Sequence, residues 1–162
     1  MIAGLPTYTF VHVVVSLAGI VSGLFVAYGL LASKRFDSWT LLFLAATVAT
    51  SVTGFIFPFH GFTPAIGVGI LSMILLIAAI VARYVFNLAG SWRWIYVVGS
   101  VTALYFNVFV LIVQSFRKIA PLKVLAPTQS EPPFLIAQVA ALLLFLVIGI
   151  GAVRRFHPRF SA

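Results

Sequence analysis

HVVVSLAGIVSGLFVAYGLLASKRFDSWTLLFLAATVATSVTGFIFPFH, residues 12–60, is the stretch from which the fold is read. Two apolar runs, at about 10–32 and 39–58, flank the charged turn Lys34-Arg35-Phe36-Asp37. Each run matches the roughly 20 apolar residues that a helix needs to cross a bilayer. Neither shows the short, alternating segments of an outer-membrane strand. The stretch therefore reads as a transmembrane hairpin, with His12 at the far end of one arm and His60 at the far end of the other. The third histidine, His157, lies in a basic tail.

Working outward, three more segments have the same character, and the fold class is an all-α integral membrane bundle of five helices in one domain, 1–162. The spans are expected at about 8–32, 39–58, 64–87, 92–119 and 133–153. Punctuation supports these limits. Thr7 or Thr9 can cap the first span after Pro6, and Asp37 and Ser38 suit the start of the second. Thr63-Pro64 places a proline at the first helical position of the third, and Gly90, Pro121 and Pro133 mark breaks.

Composition agrees with this reading. The 162 residues are 63% hydrophobic and only 7% charged, against about 25% charged in soluble domains. Mean hydropathy is +1.21. The net charge of +8 does not point to nucleic acid, because the basic residues lie mainly at span ends, where cations meet lipid headgroups. The absence of cysteine excludes disulfides, iron–sulfur clusters, thiolate metal sites and covalently attached haem. Met1 to Pro6 lacks the positive region of a cleaved signal peptide, so the first run is taken as a retained span.

With five spans, Lys34, Arg35, Arg83, Arg93, Arg154, Arg155 and Arg159 fall on one side, and Arg117, Lys118 and Lys123 on the other. The positive-inside rule puts the N-terminus outside and the C-terminus in the cytoplasm, in a plasma or inner membrane. Trp39, Trp92 and Trp94 then lie at cytoplasmic span ends, where indoles favour the interface. Arg83, the one cation written into a span, is expected to snorkel to that interface.

Polar residues inside the spans are few, which makes their positions informative. His12, Ser16, Gly19, Gly23 and Ala27 form a small-residue stripe on the first span, and Gly19 and Gly23 are candidates for close helix packing. Asn107 falls near the centre of the fourth span. It needs a partner, as interhelical glue or as the floor of a polar cavity, because unpaired polar groups are costly in hydrocarbon.

Reflecting the hairpin about its turn brings His12 and His60 to one height. Gln114, three residues before Arg117, and Gln138, five after Pro133, are expected near it. His12 and His60 are thus candidate haem b, quinone or small-ligand contacts at the outer leaflet, with Gln114, Gln138 and Asn107 as polar lining. Ordinary interfacial packing of the same residues is the plain alternative.

Absences narrow the chemistry. Both acids, Asp37 and Glu131, fall in expected loops, which disfavours carboxylate-coupled transport. It also leaves no hydrolase triad and too few ligands for zinc. Three functional readings follow: a redox or ligand-binding protein, a small transporter or channel along the small-residue stripes, and a non-catalytic accessory or assembly subunit. Its partners would be the lipid bilayer and a membrane protein or second copy of the chain, not nucleic acid.

Overall fold

A computed structural model describes residues 6–56 and 64–158. The described chain is all-helical, with α1 Thr7–Leu31, α2 Asp37–Ile56, α3 Pro64–Ile80, α4 Trp92–Lys118, α5 Ala120–Leu125 and α6 Pro132–Arg155. Five of these elements are long and apolar enough to cross a membrane. The described residues contain no strand. The protein is thus a multi-pass membrane protein, as the hydropathy pattern requires. His60 lies outside the described residues.

The span limits move by only a few residues, each for a local reason. α1 starts on Thr7, with Pro6 in the capping position and no side-chain cap. Asp37 is not a loop residue: it is the first residue of α2, where a carboxylate is favoured by the helix dipole. α1 ends in a left-handed turn at Ser33 (φ 54°). There Lys34 N–H bonds Gly29 O at 2.8 Å and Ser33 N–H bonds Leu30 O at 3.4 Å, the paired bonds of a Schellman stop.

The third span ends earlier than its hydropathy suggests. A π turn, Val81–Val85, follows α3. Asn87 and Leu88 then both take positive φ, at 47° and 60°, which breaks the helix direction before α4.

α4 is the hub, packing against α1, α2, α3 and α6. In lipid the tails are as apolar as leucine, so helices associate through van der Waals fit and hydrogen bonds rather than by escaping water. Small residues provide that fit. A Cβ on Gly23 would stand 2.5 Å from Leu104 Cδ1 and 2.9 Å from the Phe43 ring, so α1 meets α2 and α4 at that point without a gap. Gly99 does the same between α4 and α3, where a Cβ would come 3.0 Å from the Leu75 carbonyl.

The main core fills the end of the bundle that carries the Lys34 turn. Phe43, Leu76, Val97, Leu104 and Phe156 are all buried there. A smaller cluster of Phe116, Ala126 and Phe134 closes the opposite, His12 end.

Candidate functional site

Asn107 sets the reference height. Its Nδ2 donates to Thr47 Oγ1 at 3.2 Å, and Gly19 lies against both residues. This is a link between α4 and α2 under a glycine of α1. Counting towards the N-terminal end, His12 is seven residues from Gly19, Thr53 six from Thr47 and Gln114 seven from Asn107. At 1.5 Å per residue, all three stand about 10 Å beyond the Asn107 contact.

The His12 end is a hydrogen-bonded assembly. Tyr8 Oη donates to the Thr53 carbonyl, and His12 Nδ1 lies 2.8 Å from Thr53 Oγ1. That hydroxyl already donates its one proton to Ala49 O at 2.7 Å. It therefore accepts from His12, which assigns the proton to Nδ1 and makes Nε2 the acceptor nitrogen of the neutral ring. The Lys118 ammonium is near enough to act electrostatically on this ring.

Gln114 is half-buried at the same height and makes no hydrogen bond to any described residue. Beside it, Gln129 donates through Nε2 to Val113 O at 2.9 Å from a left-handed backbone of φ 62°. The connection after α5 is thereby folded back onto α4 at this level.

Gln138 is placed differently. Ring contacts of Tyr105 with Phe145 and Phe116 with Phe134 fix the α4–α6 register. By that register Gln138 stands opposite Ile112, about 3 Å deeper than Gln114. Its amide turns into α4 and donates to Phe109 O at 3.3 Å. Gln138 Oε1 is buried without a partner among the described residues. The structure thus brings His12 to Thr53 by a direct bond and sets Gln114 level with them, while Gln138 bonds to a different carbonyl below.

Glu131 is also committed. Thr128 donates to Oε1 from its backbone nitrogen at 3.1 Å and from its hydroxyl at 2.8 Å, and Ser130 N–H donates to Oε2 at 3.1 Å. Desolvation opposes the charge, but these bonds together outweigh it and hold the carboxyl below the usual glutamate range. The glutamate ties its own turn. Among the described residues no group of three or more His, Cys, Asp or Glu side chains comes together.

A polar centre that sequence reasoning missed lies at the other end. Arg83 does not snorkel; its side chain is 2% exposed. It pairs with Asp37 Oδ1, donates from Nη1 to Tyr96 Oη at 3.3 Å and stacks on the Tyr96 ring with its Cζ 5.3 Å from the centroid. Thr40 Oγ1 approaches the same phenol at 3.5 Å, and Arg83 Nε is buried without a partner among the described residues.

The signal was present in the phase of the helix. Ser72, Leu76, Ala79 and Arg83 recur at spacings of four, three and four, and all are buried. The arginine therefore continues the packed face of α3 instead of the lipid face. Arg35 Nε also reaches Asp37 Oδ1 at 3.5 Å, so the one acid at this end serves two cations.

The C-terminal segment fastens this end. Arg93 Nη1 donates to Val153 O at 3.0 Å and Phe156 O at 2.7 Å, and His157 N–H bonds Ser33 Oγ at 2.9 Å. Phe156 lies buried against Tyr96, with ring centroids 6.0 Å apart. No family profile, curated protein or solved structure matches this chain.

Proposed function

We propose that the protein binds a small amphipathic ligand of the quinone class at its His12 end, in the outer leaflet of a plasma or inner membrane. The observation that carries this reading is Gln114: a half-buried amide without a hydrogen-bond partner among the described residues, level with the His12–Thr53 pair. An amide in hydrocarbon is costly until paired, so this position favours a ligand with hydrogen-bonding oxygens. The Gln114 amide hydrogen-bonds a headgroup oxygen, and the His12–Thr53 pair forms the polar wall level with it. Lys118 lends positive potential, and the isoprenoid tail remains in lipid. Haem b is the less favoured occupant, because His12 is held through Nδ1 by Thr53 and the other candidate ligand, His60, lies outside the described residues.

The small-residue stripes give no support to a conduction path, since side chains of Leu104, Phe43 and Asn107 fill the space beside Gly19 and Gly23. The test is calorimetric titration of the nanodisc-embedded protein with a short-chain quinone in oxidised and reduced forms. Saturable binding is expected, weakened about tenfold in Gln114→Leu, as for the loss of about 1.4 kcal/mol. Absence of saturable binding with either form would reject the quinone reading and leave the assembly-subunit reading in its place.

A further inference from the structure

A groove of about 340 Å³ opens to the lipid side between α4 and α6, lined by Val98, Val101, Phe145, Gly149, Ile150 and Arg154 among others. Its wall is apolar apart from Thr102, and one end carries a cation, Arg154. Arg154 is exposed and makes no hydrogen bond or ion pair with the described residues. The neighbouring Arg93 is instead engaged by the Val153 and Phe156 carbonyls, which fixes the end of α6 and presents Arg154 at a constant height. We infer that this groove is a binding site for one acyl chain of an anionic phospholipid whose phosphate is held by Arg154.

Three features converge on that occupant. From Phe145 to Arg154 the groove follows α6 for nine residues, about 13 Å. A bilayer core is about 30 Å thick, so one leaflet is about 15 Å, and the groove has the depth of a single leaflet. Charge complementarity comes second: a basic side chain at the headgroup level, with no carboxylate beside it in the groove lining, favours an anionic head over a zwitterionic one.

The third feature is Trp94, which is exposed one helical turn beyond Val98 on the same face of α4. An indole at that place belongs in the headgroup region. Gly149 makes the concavity, because a Cβ there would reach only ordinary contact, 3.7 Å from Val101 Cγ1. A larger side chain at 149 would occupy the chain's position without displacing the backbone.

The experiment is native mass spectrometry of the detergent-purified full chain with added phosphatidylglycerol or phosphatidylcholine. The wild type is expected to retain one phosphatidylglycerol in preference to phosphatidylcholine. Arg154→Gln should lower that affinity about fivefold, the effect of one basic residue at an anionic surface. Gly149→Leu should abolish retention of both lipids, and Arg155→Gln, which removes an adjacent charge outside the groove lining, should leave retention unchanged.

Equal retention of the two lipids by the wild type, or equal loss in Arg154→Gln and Arg155→Gln, would overturn the site. Arg154 is exposed, so its variant carries the test even if Gly149→Leu lowers the melting temperature.

Discussion

Replacing the Asp37 carboxylate strands the Arg83 guanidinium, which is buried against Tyr96 of α4 and has no other acid beside it among the described residues. Breaking a buried pair typically costs about 3–5 kcal/mol. Asp37 itself is mostly exposed, so water screens part of the attraction, and a loss of about 1–3 kcal/mol is expected for Asp37→Asn. Adding Arg83→Met should recover much of that loss, because the stranded charge is gone and a side chain of similar length fills the space. Thermal unfolding of the two single variants and the double in detergent measures the coupling. Strict additivity would show that the pair does not hold these helices together.

Glu131 allows a pH prediction at the same scale. Its folded pKa lies below the unfolded value. The hydrogen-bonded turn is therefore fully favoured above the unfolded pKa of about 4.3 and is lost as pH falls through the lower, folded value. Hydrogen-exchange protection over 126–131, taken relative to the intrinsic rate at each pH, should fall as the solution is acidified through that range. In Glu131→Gln the protection should be low already at neutral pH and no longer follow the carboxyl titration.

Helix contacts depend on what is missing as much as on what is present. Gly23 sits where α1 touches both neighbours. Gly23→Ala would force the Leu104 and Phe43 side chains aside, an overpacking cost of about 1–3 kcal/mol. The same change at Gly149 meets only an ordinary contact and should be near neutral. Comparing the melting temperatures of Gly23→Ala and Gly149→Ala separates packing from helix propensity, since alanine is the better helix former at both positions.

Element limits were largely legible because capping and proline chemistry act within a few residues. Pro64 and Pro132 stand at the first positions of their helices. The π turn at Val81–Val85 was not legible, since nothing in a continuous apolar run marks where a helix widens. Helix α5 was also hidden, its six residues being too short to show a periodicity.

For the molecule as a whole, the cysteine-free chain suits a direct measurement of orientation. Single cysteines at Lys123 and at Ser33 should label from opposite sides with a membrane-impermeant maleimide, Lys123 from outside and Ser33 only after permeabilisation. The reverse pattern would invert the topology read from the basic residues, and with it the leaflet of both the quinone and the lipid site.

The sequence alone determined the number of spans and the membrane environment. A chain this apolar must satisfy its backbone within helices wherever it crosses hydrocarbon, and that constraint acts on each segment separately. It also brought His12 and Gln114 to one height, because rise per residue is a local constant.

Tertiary structure decided which way the polar side chains turn. Arg83 faces Asp37 across 46 residues of sequence, Asn107 finds Thr47 across 60, and Gln129 reaches back to α4 through a left-handed turn. Hydropathy records that such residues are costly in lipid. Only the packing of one helix against another supplies the partners that remove the cost.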